Sequence, residues 1–258
     1  MGSIPITRFI YCHKLECDRV VDFKGKFVTI VTDFFYYRKN LQDNSWFVIL
    51  RDEKKEDREL EREEQKLDKL FDFFREIDKE KQIVRQTFLA DGARKENDAE
   101  HAWHMAVMTI LLSRYANEKI DVLKTITMLL IHDIVEIDAG DTYAYDEEGA
   151  KTKNEREQRA AERIFGILPE KDGQYMKALW EEFEAYESAE AKFAHAMDNI
   201  QPAMLNDASG GKSWLEHGVR FEQILKRNAK TPEGSQVLWD YALEHIFQPN
   251  IEKGNILE

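Results

Sequence analysis

VLKTITMLLIHDIVEIDAGDT, residues 122–142, opens with a nearly unbroken apolar run and closes on two metal-capable side chains and a crowd of carboxylates. The run is too short to cross a bilayer, which takes ~18 apolar residues, and long enough for a buried helix. We read it as a helix from about Ile120 to Ile137, stopped where Asp138, Gly140 and Asp141 supply breaker chemistry. Its all-round hydrophobicity marks a central helix surrounded by others. Its polar end needs a separate reason. An unpaired carboxylate or imidazole in such a place costs several kcal/mol, and one divalent cation satisfies several of them together.

Working outward, the same helical period recurs on both sides. Leu67, Leu70, Phe71, Phe74 and Ile77 repeat at spacings of three and four, and a helix is expected over Asp98–Tyr115. Further helices are expected over Lys153–Leu168, Gln174–Tyr186, Ala189–Asn206, Ser213–Lys226 and Pro232–Phe247. With no strands alternating between them, residues 65–258 read as one all-α, compact multi-helix domain. Residues 51–64 belong to a charged linker helix within RDEKKEDRELEREEQKLDKL. Residues 1–50 form a small N-terminal extension of β or irregular character, in which FKGKFVTIVTDFFYY and SWFVIL have the β-branched and aromatic make-up of strands.

Composition narrows the partners. Fifty acidic against 37 basic residues give a formal charge of −13, which opposes binding to a nucleic-acid polymer or an anionic membrane. The opening MGSIPITRFI lacks the layout of a signal peptide, so a cytoplasmic location is expected. The two cysteines, Cys12 and Cys17, have His13 beside them but no further ligand pair at zinc-site spacing, and read as reduced thiols.

His132, Asp133 and Glu136 are three and four apart, so on a helix they project along one side. The preceding helix begins ENDAEHAWHMA, where either His101 or His104 can reach across. Later, AKFAHAMDNIQP sets Asp198 among apolar neighbours, a place where a carboxylate calls for a cation. A lone His-Asp pair is common by chance; His, then His-Asp, then Asp, each on its own helix, is much less so.

In these segments the chain resembles the HD-domain superfamily of metal-dependent phosphohydrolases, and within it the 5′-deoxynucleotidase-like branch, over about residues 66–248. VRQTFLADGARKENDAEHAWHMA, IHDIVEIDAGDT, NEREQRAAERIFGILP and LWEEFEAYESAEAKFAHAMDNIQ carry the likeness. The resemblance implies His101, His132, Asp133 and Asp198 as metal ligands, with His101 preferred because it follows the Ala-Glu pair. His104 is then a supporting or core histidine. It implies Glu136 as the acid/base carboxylate, Asp141 as a second active-site carboxylate, and Arg85 as the arginine that meets the phosphate. The family often has a tryptophan soon after that arginine, where this chain has Gln86, Thr87 and Phe88. Phe88 is therefore taken as a candidate substrate contact, and Arg94, just before the first expected ligand, as another.

Two imidazoles and two carboxylates leave positions open on a six-coordinate ion, so a water and a phosphate oxygen can bind together. One divalent metal is expected, manganese, cobalt, iron, zinc or magnesium. His195, the only histidine between Asp133 and Asp198, reads as structural, which disfavours a two-metal centre. NDASGGKSW, residues 206–214, reads as a glycine turn between helices rather than a phosphate loop. The expected activity is removal of phosphate from a nucleoside or deoxynucleoside 5′-monophosphate, by an enzyme that can form a homodimer. The alternatives are hydrolysis of a triphosphate or another small phosphorylated metabolite, and a non-catalytic helical binding module stabilised by its metal.

Overall fold

The computed structural model describes residues 20–22, 27–32, 35–40, 45–50, 53–141 and 147–258, which divide between Glu64 and Gln65 into two compact units. Cys12, His13 and Cys17 lie outside the described residues. In the first unit the β-branched and aromatic runs form an antiparallel meander, β1 (Val20–Asp22), β2 (Phe27–Thr32), β3 (Phe35–Asn40) and β4 (Ser45–Leu50). Register is set by the pairs Val21 with Thr29, Ile30 with Tyr37, and Tyr37 with Val48. Helix α1 (Glu53–Ile77) follows.

Among its described residues the second unit is all-α apart from one hairpin. After a short 3₁₀ turn come β5 (Val84–Phe88) and β6 (Lys95–Asn97), at a place where the helical period led us to expect no strand. The local cause is legible afterwards: VRQTF favours extended backbone, and Asp91-Gly92 makes the turn. Gly92 takes φ +66°, and the Asp91 carboxylate accepts from Ala93 N at 2.9 Å. The hairpin delivers the chain to α2 (Asp98–Leu112), whose start is fixed by a capping box between Asn97 and Glu100.

Helix α3 (Val122–Ile131) starts at the Asp121 cap and ends at Ile131, earlier than expected. Residues His132–Val135 form tight turns, with Ile134 N on the Ile131 carbonyl and Glu136 N on that of Asp133, before the short α4 (Glu136–Ala139). The His-Asp pair therefore sits on a break between helices. Nor is α3 surrounded, since Leu123 is 74% exposed and Leu130 is also open to solvent. The sequence period recorded apolar character, which a helix can spend on an outer face as well as an inner one.

The remaining elements are α5 (Glu147–Phe165), α6 (Glu170–Ala185), α7 (Ala189–Ala208), α8 (Lys212–His217), α9 (Phe221–Arg227), α10 (Thr231–Gly234), α11 (Gln236–Ala242) and α12 (Gln248–Glu252). The single helix expected over Ser213–Lys226 is split because Gly218, at φ +56°, ends α8 with a left-handed cap. A π-helical turn, Leu243–Phe247, joins α11 to α12. Helix α7 is the true centre, burying Ala191, Phe193, Ala194, Ala196 and Met197 completely and touching α2, α3, α6 and α10. Around it pack Met105, Met128, Leu129, Ile164 and Trp180.

Helix α10 presses on α7 through Gly234, where an added Cβ would lie 2.2 Å from the Lys192 carbonyl oxygen. Gly234→Ala should cost about 1–3 kcal/mol by overpacking. Urea unfolding monitored by circular dichroism measures it, and an unchanged midpoint would contradict this close approach.

Candidate active site

Four elements bring the polar side chains together. Helix α2 supplies His101, the break after α3 supplies His132 and Asp133, α4 supplies Glu136, and α7 supplies Asp198. His101, His132 and Asp133 are buried, with one ligand atom of each within 4.8 Å of the others. Asp198 joins through both rings, its Oδ1 lying 3.0 Å from His101 Nε2 and 3.9 Å from His132 Nε2. His132 Nε2 also lies 3.1 Å from Asp133 Oδ2.

These atoms fit a cation better than they fit one another. The Nδ1 of His132 faces the Leu129 carbonyl at 2.9 Å. A carbonyl can only accept, so Nδ1 carries the proton and a neutral ring presents a bare lone pair at Nε2. Among the described residues that Nε2 has no aligned hydrogen-bond partner, although it is buried. Donors bound side by side on a six-coordinate ion at ~2.1 Å are about 3.0 Å apart, close to the spacings found here. Two nitrogens and two carboxylates suit a first-row divalent ion.

Charge points the same way. Arg85, on β5, gives Nη1 to Asp133 Oδ2 at 2.6 Å and to Asp98 Oδ1 at 3.0 Å, with Glu96 Oε1 3.8 Å from its Nε. One guanidinium thus serves three buried carboxylates. Burial pushes Glu96 up to about 7, and burial with the charge of Asp133 pushes Asp98 up to about 8. Glu136 rises to about 10 through burial and the neighbouring Asp133, Asp98 and Asp141, and its Oε2 has no partner among the described residues. Burial pulls His101 down to about 4. Burial also opposes the charge on His132, but Asp133 and Asp198 outweigh it and raise that ring.

Above the ligands is a cavity of about 140 Å³. Its lining includes Arg85, Asp133, Glu136, Asp141 and Asp198 together with Lys153, Arg227 and Asn228; Trp214, Ile224 and Phe247 add apolar surface. Of the residues expected to meet substrate, Arg85 lines this cavity, whereas Phe88 and Arg94 are not on its wall. Phe88 is buried under Lys212, whose Nζ stands 4.3 Å from the ring centre. Arg94 pairs with Glu100 through both terminal nitrogens, at 2.8 and 2.6 Å, and braces the start of α2. Lys212 is spent on the Gly92 carbonyl at 2.8 Å, so the 206–214 segment does behave as a turn. His195 faces the Phe183 carbonyl at 2.9 Å and stacks on that ring, a structural place.

Lys153 and Arg227 were missed in the sequence. Arg227 Nη2 is 3.9 Å from Asp198 Oδ2. Neither lies in a recognisable motif, and only the fold brings them to the ligands.

The model of the HD domain matches residues 77–239. The chain belongs to the HD-domain family. A solved structure, a predicted metal-dependent phosphohydrolase from Magnetospirillum magnetotacticum, superposes with a TM-score of 0.72 at 44% identity, over 76% of this chain and 97% of that one. The 5′-deoxynucleotidase HDDC2 of Homo sapiens is 30% identical over 149 residues, 57% of this chain and 70% of its own. That of Bos taurus is 29% identical over 133 residues, 51% and 63%. The chain is accordingly an HD-type metal-dependent phosphohydrolase with an all-α catalytic fold. No helix among its described residues is long and apolar enough to cross a membrane.

The raised carboxyls make the metal-free HD site sensitive to base. Glu96, Asp98 and Glu136 hold protons in the fold that they lose in the unfolded chain above about pH 4. Their contribution to stability is present at low pH and disappears as pH rises through about 7 to 10. The raised His132 acts in the same sense. The melting temperature of metal-free protein should therefore fall between pH 6 and 9, and added Mn²⁺ should restore more of it at pH 9 than at pH 6. A flat profile without metal would contradict the charge imbalance.

Proposed function

We propose that this HD protein is a 5′-nucleotidase, removing phosphate from a nucleoside or deoxynucleoside 5′-monophosphate, with one ion held by His101, His132, Asp133 and Asp198. The observation that carries it is the cavity, where the cationic Arg85, Lys153 and Arg227 and the Glu136 carboxyl, one oxygen of which has no partner among the described residues, meet Asp133 and Asp198. The names of the relatives support the substrate class.

A bound divalent ion supplies polarisation of the phosphoryl group and acidification of a water. Arg85 keeps Asp133 ionised and offsets phosphate charge at the base of the cavity. Arg227 and Lys153, also in the lining, do so as well, Arg227 lying 3.9 Å from Asp198. Glu136, kept protonated by burial and its acidic neighbours, delivers a proton to the leaving 5′ oxygen. Asp141, in the same lining, takes the proton of the attacking water. The small cavity and the charge of −13 favour a small nucleotide over a polymer, and a cytoplasmic setting fits such a substrate. A homodimer is part of this reading, through the outer faces of α2 and α3, where Trp103, Ile110, Leu111 and Leu123 are exposed. Sedimentation that finds only monomer removes it.

With Mn²⁺ or Co²⁺ present, ribo- and deoxynucleoside 5′-monophosphates should release inorganic phosphate. Pyrophosphate or triphosphate released from nucleoside triphosphates would move the assignment to triphosphate hydrolysis, and inactivity across a metal-replete panel would reject both. Glu136→Gln should lower kcat by about 10²- to 10⁴-fold with metal content unchanged. Equal loss of metal and of folding would instead indicate a structural metal in a binding module. Arg227→Ala should reduce kcat/KM by about tenfold or more, as expected for loss of a charged hydrogen bond.

A further inference from the structure

His104 and Gln201 are polar, lie against the ligands, and have no part in the chemistry above. Gln201 is completely buried on α7, one turn beyond Asp198, and His104 stands one turn beyond His101 on α2. The two helices therefore face each other across two rungs, His101 with Asp198 and His104 with Gln201. A diagonal ties the rungs together: Gln201 Oε1 is 2.7 Å from His101 Nδ1. On its other side Gln201 Nε2 is 3.0 Å from Glu96 Oε2 and 3.2 Å from His104 Nδ1.

The orientation of this amide decides the chemistry of His101. Glu96 Oε2 accepts from Gln201 Nε2 at 3.0 Å, so the NH₂ edge of Gln201 is turned to β6. The second amide proton meets His104 Nδ1, which then accepts. The carbonyl edge is left facing His101, and a carbonyl in turn accepts only. The proton of a neutral His101 is therefore held at Nδ1, and its Nε2 lone pair is directed at the ligand cluster. Above about pH 7, where Glu96 is ionised, the opposite amide orientation would set the glutamine carbonyl against its carboxylate in a fully buried place, leaving an unmade hydrogen bond that costs about 1–3 kcal/mol.

We propose that Gln201, anchored by Glu96 and His104, is the positioning residue of the metal centre, fixing the tautomer and tilt of His101 so that its Nε2 faces the ion. The inference rests on the ligand set proposed above. It gives His104 a role as acceptor to Gln201 and explains why two histidines one turn apart serve one ion.

Dissociation constants for Mn²⁺ and Co²⁺, from equilibrium dialysis of the full chain, test it. His101→Ala should abolish tight binding. Gln201→Met, which keeps the volume and removes the acceptor, should weaken binding by about 10- to 100-fold, as loss of a partner behind a ligating histidine does. Gln201→Glu should return to within about threefold of wild type, because a carboxylic acid offers His101 the same carbonyl and Glu96 an O–H. Wild-type affinity in Gln201→Met overturns the proposal. Gln201→Glu as weak as Gln201→Met also overturns it, since packing rather than the acceptor would then matter. Wild-type binding by His101→Ala overturns the ligand set instead, which keeps the two failures apart. If Gln201→Met does not fold, the wild-type protein loaded with Zn²⁺ decides: its ¹H–¹⁵N spectrum should show a slowly exchanging proton on His101 Nδ1. Rapid exchange there overturns the proposal.

Discussion

Buried negative charge gathered around one guanidinium governs the centre of this protein. Arg85 is hydrogen-bonded to Asp133 and Asp98 and lies near Glu96, while Glu136 and Asp198 also act on its charge. One cation cannot neutralise this set, and burial makes each unneutralised carboxylate expensive. The fold meets the excess partly by protonation, as the raised Glu96, Asp98 and Glu136 show. The rest is what a divalent ion supplies. Metal binding and the integrity of the core are consequently one problem in electrostatics, with Arg85 common to both.

The architecture can be understood as the means of holding these groups still. Helix α7 carries Asp198 and Gln201 one turn apart among the buried Phe193, Ala194 and Met197, so packing against α2, α3 and α6 fixes the height and rotation of Asp198. The hairpin β5–β6 sets Arg85 and Glu96 on paired strands and leads at once into Asp98. The π-helical turn Leu243–Phe247 brings Phe247 to the cavity wall, in keeping with the use of such turns near functional sites.

Much of this was legible in the sequence, though for unequal reasons. Apolar residues at spacings of three and four announced the all-α unit, and a carboxylate among the apolar neighbours of Asp198 announced a buried charge. What failed was local. Ile120–Ile137 reads as one helix because His132 and Asp133 do not break helical periodicity, yet the chain turns there through short hydrogen bonds. Arg85 was found through a family likeness, while its strand was missed, since five residues are too few to outweigh the helical pattern around them. Arg227 reaches Asp198 only after Gly218 has split its helix, and no spacing within the chain encodes such a meeting. Phe88 and Arg94 lie near Arg85 in sequence, but the cavity lining does not include them: Phe88 is buried beside Lys212, and Arg94 is paired with Glu100.

The two histidines proposed as ligands are secured by different means, and the difference matters for how the metal site and the fold are linked. His132 gives its Nδ1 proton to Leu129, three residues back, a carbonyl freed because α3 ends there. That contact is local and survives any shift of α3 as a body. His101 depends on Gln201 of α7, which in turn depends on Glu96 of β6, so its orientation exists only when three separate elements are docked. Changes that loosen α2 against α7 therefore act on His101 first and leave His132 set. In the proposed ligand set the orientation of His101 thus follows the packing of those two helices, while that of His132 follows the end of α3, although the His-Asp pair is the more conspicuous feature of the sequence.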